Sequence, residues 1–106
     1  MNWVSELRQA FSQLQTGGPA QVSFAGREDS VGEVGREFNT LASSLEQPAE
    51  PERARERAHR LRNQLAGILA ALHVLRESGG VPAGEEAALT QLLEEAKRLD
   101  ARLRQG

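Results

Sequence analysis

Apolar residues recur in four segments of this chain at alternating steps of three and four residues, and this spacing limits the fold more than any other feature. The repeat places the apolar side chains on one stripe of an α-helix, and such stripes pack against one another at shallow angles. The stripes are Val4, Leu7, Phe11 and Leu14; Val31, Val34, Phe38, Leu41 and Leu45; Leu61, Leu65, Ile68, Leu72 and Leu75; and Leu89, Leu92, Ala96, Leu99 and Leu103. We therefore expect an all-α, coiled-coil-like bundle.

Glycine and proline residues separate the four helices. The Gly-Gly-Pro run at 17–19 supplies a C-cap glycine and then a residue that cannot continue a helix, and Gly79 with Gly80 ends the third helix in the same way. The expected helices are 2–15, 30–46, 51–78 and 83–104.

Between the first two helices, residues 21–25 are expected to form a short extended connector. The two-residue period of an extended chain places Val22 and Phe24 on the same side of it. Ser30 is a favourable N-cap residue and is the predicted start of the second helix.

Pro48 and Pro51 predict a break in the helix between Glu46 and Glu52, because each proline lacks a backbone donor and disfavours helical geometry in the residue before it. The alternative is one kinked but continuous helix. The chain is accordingly divided into residues 1–47, a proline-containing linker at 48–51, and residues 52–106.

Each half of the chain is expected to be a helical hairpin, and about 50 residues bury too little surface to be stable alone. Two copies of each hairpin, paired across a parallel homodimer, make two stacked four-helix bundles. The competing arrangement is a monomer in which residues 1–47 fold back onto 52–106 as one intramolecular bundle.

Composition excludes several classes of function. The chain has no cysteine, which excludes disulfides, thiolate zinc sites and cysteine catalysis, and its two histidines make a catalytic metal unexpected. The absence of a long apolar run and of a signal pattern favours a cytoplasmic protein without membrane contact. Five arginines lie between residues 53 and 62, yet without interleaved aromatics or a helix-turn-helix pattern no nucleic acid partner is expected.

The strongest candidate site is the string Ala-His-Arg-Leu-Arg-Asn-Gln-Leu at 58–65. His59 falls beside the apolar stripe within reach of solvent, and a neutral imidazole is a nucleophile near physiological pH. Asn63, four residues on, lies on the same face and can hydrogen-bond a water or a phosphoryl oxygen. Arg60 and Arg62 favour phosphoryl groups or an acidic partner. The alternative is an ordinary surface histidine in an arginine-rich helix.

This string and the Ala- and Leu-rich helix after it resemble the H-box of sensor histidine kinases, in the variant that reads His-Arg-x-Lys/Arg-Asn-x-Leu. Residues 52–106 are similar to the dimerisation and histidine phosphotransfer (DHp) domain of those kinases. Where the commoner box has an acid and a proline, this chain has Arg60 and Gln64. The resemblance implies that His59 is the phosphoacceptor and that Asn63 orients water for dephosphorylation.

Residues 1–47 resemble a HAMP domain, the parallel four-helix signal relay of membrane sensors. The run Glu-Asp-Ser-Val-Gly-Glu at 28–33 matches the acidic-x-x-Gly end of the HAMP connector, and Arg-Glu-Phe-Asn-Thr-Leu at 36–41 matches the Phe-Asn-x-Leu signature of its second helix. Between the two helices, Gly17 followed by Val22 and Phe24 fits the glycine turn and the apolar connector anchors of the family. The two resemblances follow one another in the order found in sensor kinases.

Together these resemblances imply a two-component signalling module that passes a conformational signal to His59. The expected partners are a second copy of the chain, a response-regulator receiver domain and a histidine kinase catalytic domain. No cofactor is expected, because ATP would be bound by that separate domain, and no autonomous kinase activity is expected. The alternative function is a non-catalytic dimeric adaptor. His73 follows His59 by two heptads and is interpreted as a surface position, with a second phosphoacceptor as the alternative.

Overall fold

The computed structural model describes residues 2–47 and 50–105, apart from the side chain of Gln105. These residues form four α-helices and contain no strand, so the all-α prediction is confirmed. The helices are α1 (Trp3–Gln15), α2 (Ser30–Glu46), α3 (Ala54–Glu77) and α4 (Glu86–Gln105), and single 3-10 turns lie at Ser23–Gly26 and Pro51–Arg53. The predicted starts of α3 at 51 and of α4 at 83 were wrong, because residues 51–53 form a 3-10 turn and Gly84 has a left-handed backbone (φ +85°).

Helices α1 and α3 end as the glycine pattern predicts. Gly17 has a φ of +82° and donates its N–H to the carbonyl of Leu14 at 3.1 Å, while Gly18 donates to Gln13 at 3.0 Å. This pair of bonds defines a Schellman motif, and its left-handed residue favours glycine because glycine has no Cβ. Gly79, with a φ of +79°, occupies the equivalent position after α3.

The N-cap of α2 corrects the sequence prediction. Asp29, rather than Ser30, is the cap: its Oδ1 accepts the N–H of Gly32 at 3.1 Å, and Ser30 is the first helical residue. A carboxylate at this position also interacts favourably with the helix dipole, which a serine hydroxyl does not. The Gly32 N–H bond, followed by the hydrogen bond from Arg27, holds the pKa of the Asp29 carboxyl below its usual range.

The connector between α1 and α2 is only partly extended. Val22 has extended backbone angles (φ −111°, ψ 149°), but residues 23–26 form a 3-10 turn, so the prediction for 23–25 was wrong. The physical reason is the close approach of this turn to α2: a Cβ on Gly35 would lie 2.9 Å from the Cα of Ala25. Asn39 anchors the preceding residue, since its side chain accepts from the Val22 N–H (2.8 Å) and donates to the Val22 carbonyl (3.2 Å).

Helices α1 and α2 run in the same direction. The Trp3 and Phe24 rings meet edge-to-face at 6.2 Å near the start of α1, and the Phe11 and Phe38 rings meet at 4.9 Å farther along both helices. The connector therefore returns the chain to the starting end of α1 before α2 begins.

Helix α3 runs against this direction and α4 runs with it. Gly67 of α3 faces Glu37 of α2, and α3 pairs with α4 through Arg62 and Asp100. Helix α1 packs mainly on α4 and α2 mainly on α3. The four helices therefore form one bundle within a single chain, in the spatial order α1, α4, α3, α2.

The core of this bundle contains every apolar stripe that the sequence predicts. Its side chains are all apolar among the described residues, and those of Leu7, Phe38, Leu65 and Leu92 are fully buried. Only the last residue of three stripes is partly exposed: Leu14, Leu45 and Leu103. One chain thus buries its own stripes, as in the fold-back arrangement.

The predicted break between Glu46 and Glu52 is confirmed on the described residues. Gln47 (φ −74°, ψ 138°) and Glu50 (φ −81°, ψ 128°), the two residues that precede a proline, both have extended backbone. The remaining linker residues, 48 and 49, lie outside the described residues.

Arg57 joins the two sides of this break. Its Nη2 donates to the carbonyls of Ser44 (3.1 Å), Leu45 (3.2 Å) and Gln47 (3.1 Å), which lie at the C-terminal end of α2. The last carbonyls of a helix lack partners in their own helix and carry the negative end of its dipole. A guanidinium group from α3 therefore caps α2. The arginine cluster at 53–62 does not reveal this role, because the bonds depend on how α3 packs on α2.

We expect Arg57→Gln to lower the free energy of unfolding by about 1 kcal/mol, because a typical net hydrogen bond contributes about 0.5–1.5 kcal/mol and these bonds are partly exposed. Chemical denaturation followed by circular dichroism measures this change. Arg55→Gln, at an exposed position of the same helix, is the matched control. An equal effect of the two substitutions would contradict the capping role of Arg57.

Candidate functional site

His59 lies on the exposed side of α3, in a shallow groove between α3 and α4. The groove has a volume of about 360 Å³ and is lined by His59, Arg62, Asn63, Ala66, Leu69 and Asp100. The i, i+3 and i, i+4 spacings bring the first three of these to one face of α3. The structure therefore places three of the four predicted site residues together.

The charge of Arg62 is paired inside this groove. Its Nε lies 3.1 Å from Asp100 Oδ1, and the two side chains are 37% and 26% exposed. Arg104 approaches the other carboxylate oxygen at 3.6 Å. Asp100 was not among the predicted site residues, because only the antiparallel packing of α3 and α4 brings residues 38 positions apart into contact.

Arg60 lies apart from the His59 groove. It is exposed and lines a separate cleft of about 250 Å³ beside the linker, together with Gln47, Glu50, Arg53, Glu56 and Arg57. Arg53 and Glu50 are within 3.8 Å of each other there. The cleft carries both signs of charge. Because Arg60 lines this cleft and His59 lines the groove toward α4, the two side chains do not share a binding face.

His73 is also exposed and belongs to the same helix, fourteen residues after His59. At a rise of about 1.5 Å per residue, the two positions are separated by about 21 Å along α3. His73 is therefore outside the groove and provides an internal comparison for any property claimed for His59.

A second polar cleft lies between α2 and α3. It has a volume of about 240 Å³ and is lined by Arg36, Glu37, Thr40, Asn63, Gln64 and Gly67. Both carboxylate oxygens of Glu37 lie 3.7 Å from the place that a Cβ on Gly67 would occupy. The buried atoms Glu37 Oε2 and Gln64 Oε1 have no hydrogen-bond partner among the described residues. Burial, and to a lesser extent the Glu33 carboxylate, raises the pKa of the Glu37 carboxyl.

Glu37→Gln is expected to stabilise the fold by about 1 kcal/mol at pH 7, because it removes a partly buried charge and adds an amide donor in the cleft that holds the unpartnered Gln64 Oε1. The folded pKa of Glu37 is raised, so its protonated form stabilises the fold at low pH and this stabilisation is lost as pH rises through the folded pKa.

The gain from Glu37→Gln should therefore shrink as the pH falls through the raised pKa of Glu37 toward the ordinary carboxyl pKa. Denaturation at pH 4 and pH 7 measures it, with the exposed Glu46→Gln on the same helix as control. A gain that is the same at both pH values would contradict the assigned protonation.

Among the residues described, no three histidine or acidic side chains are grouped as a metal site would require. In the same part of the chain, no helix has the length and apolar character to cross a membrane.

Comparisons of the chain with protein-family models, with curated proteins and with solved structures gave no match.

Proposed function

We propose that this chain is a histidine phosphoacceptor module of two-component signalling, in which His59 exchanges a phosphoryl group with a histidine kinase catalytic domain or a response-regulator receiver. The observation that carries the proposal is the placement of an exposed His59 in one groove with Asn63 and Arg62. These side chains supply a nucleophile, an amide that orients water, and a cation for phosphoryl oxygens.

In the proposed transfer, a ring nitrogen of His59 attacks phosphorus, an N–P bond forms and the bond to the donor's leaving oxygen breaks. The exposure of His59 suits this step, because both donor and acceptor domains must reach the imidazole. A receiver carboxylate then attacks the same phosphorus atom and the N–P bond breaks, which restores the neutral imidazole.

The proposal also assigns residues 1–47 as the signal input to α3. Support comes from the parallel α1 and α2 and from the connector anchored on α2 by Asn39, an arrangement that suits a HAMP-like relay. Since the helix is broken after Glu46, a change in α2 would reach α3 through their packed faces and through Arg57.

The second candidate is a non-catalytic helical adaptor in which His59 is never phosphorylated. The ion pair that occupies Arg62 favours it, because the cation is engaged by Asp100 rather than free for a phosphoryl group. The substitution of the usual acid after the histidine by Arg60 favours it as well.

The two candidates differ in labelling by histidine kinases. Incubation of the chain with purified kinase catalytic domains and radiolabelled ATP should give acid-labile label that is lost in His59→Gln and retained in His73→Gln. The labelled chain should then pass the phosphoryl group to a receiver domain. No label with any kinase domain tested would favour the adaptor, and label that survives in His59→Gln would overturn the assignment of His59 as the phosphoacceptor.

The homodimer is part of the proposal and is tested separately. Because the apolar stripes are buried within one chain, association would use the outer faces of the bundle. Light scattering at micromolar concentration should give twice the mass of one chain, which is 11.6 kDa. A mass near 11.6 kDa would establish the fold-back monomer in solution.

A further inference from the structure

We propose that Arg62 exchanges partners when His59 is phosphorylated: it leaves Asp100 of α4 and binds the phosphoryl group on the adjacent imidazole. The inference rests on the proposed function and assigns a positioning role to Asp100, a residue that no motif marks. Its basis is the shared groove: Arg62, which is paired with Asp100 of α4, lines the same groove as His59 of α3.

The ion pair is suited to such an exchange because it is weak. Both side chains are partly exposed, at 37% and 26%, and ion pairs in contact with solvent contribute little to stability. A phosphoryl group carries close to two negative charges and three acceptor oxygens, whereas Asp100 offers one charge. A guanidinium binds phosphoryl oxygens through paired N–H bonds, so the new partner competes well.

The geometry of α3 favours the same exchange. Arg62 follows His59 by three residues, so both side chains project from one face of the helix as neighbours. Asp100 would retain Arg104, which approaches its other oxygen at 3.6 Å from one turn along α4. The carboxylate therefore keeps a cationic partner after Arg62 has left.

The exchange changes the contact between α3 and α4. In the unmodified chain the Arg62–Asp100 bond links the two helices beside the groove, and in the phosphorylated chain that link is released. The bond thus holds the Arg62 guanidinium near His59 until the imidazole is phosphorylated. Its loss then changes the contacts of α4.

A chemical phosphodonor tests this without any kinase. Phosphoramidate transfers its phosphoryl group to a histidine nitrogen: an N–P bond forms on the imidazole, the donor's P–N bond breaks, and ammonia leaves. The chain contains two histidines, so nuclear magnetic resonance of the imidazole carbons resolves the rate at His59 from that at the exposed His73. We expect His59 to react several-fold faster than His73.

The variants predict opposite signs. Arg62→Gln should slow His59 to about the rate of His73, whereas Asp100→Asn, which frees Arg62, should accelerate His59 several-fold. Both substitutions break the same ion pair, so a purely structural role of that pair predicts changes in the same direction. Arg62→Lys should keep most of the rate, and Arg104→Gln, which leaves Arg62 and Asp100 paired, is the matched control.

The double variant separates partner exchange from the simple removal of a negative charge. In the Arg62→Gln background, Asp100→Asn should have little effect, since the gain operates through Arg62. The proposal would be overturned by any of three results. These are a rate gain from Asp100→Asn that persists in the Arg62→Gln background, equal rates at His59 and His73 in the unsubstituted chain, and rate changes of the same sign in the two single variants. Circular dichroism verifies that each variant folds, and if Arg62→Gln does not fold, the Asp100→Asn rate decides.

Failure of this inference differs from failure of the proposed function. If no kinase domain labels the chain, yet Arg62→Gln and Asp100→Asn change the phosphoramidate rate in opposite directions, the partner exchange exists and the proposed signalling function is wrong. A chain that kinases label at His59 with no such rate changes has the proposed function without the exchange.

Discussion

The apolar core shared by all four helices is the interaction on which the rest of the structure depends. Its side chains come from both halves of the chain, and the described residues place no polar or charged side chain fully inside it. Burial of apolar surface has little directional preference, so the three- and four-residue spacing alone decides which face of each helix turns inward. The groove around His59 lies on a face that this burial leaves outside.

The helices could be predicted closely from the sequence because each is set by local chemistry. The left-handed backbone at Gly17 and the prolines after Gln47 act on their own neighbours, and no distant contact is needed to read them. The N-cap of α2 and the turn at 23–26 were predicted wrongly for a different reason. Both depend on how the connector lies against α2, where Gly35 admits the backbone of Ala25.

The pairing of the helices could not be deduced in the same way. Heptad stripes are compatible with partners in the same chain or in a second copy, because each stripe can pack against any other. What distinguishes the arrangements is specific contact across the halves, such as Arg57 on the end of α2.

The sequence could predict those residues of the candidate site that lie on one helix. His59, Asn63 and Arg62 are related by helical spacing, which a sequence displays directly. Asp100 and Glu37 were missed, since each reaches its neighbours from another helix and nothing in the local sequence distinguishes it from other surface acids. Arg60 was included as a neighbour of His59 in the sequence, and it lines the cleft at the linker instead of the His59 groove.

The packing of α1 on α4 has a consequence for the entropic cost of folding. These are the first and last helices of the chain, and their contacts, such as the Arg102 bond to the carbonyl of Gln15, join residues 87 positions apart. Contacts that close so long a loop carry a somewhat larger entropic cost than contacts between neighbouring helices. Helices α2, α3 and α4 are neighbours both in sequence and in space, so their contacts close shorter loops. The apolar side chains that α1 buries must offset the extra cost of joining the two ends of the chain.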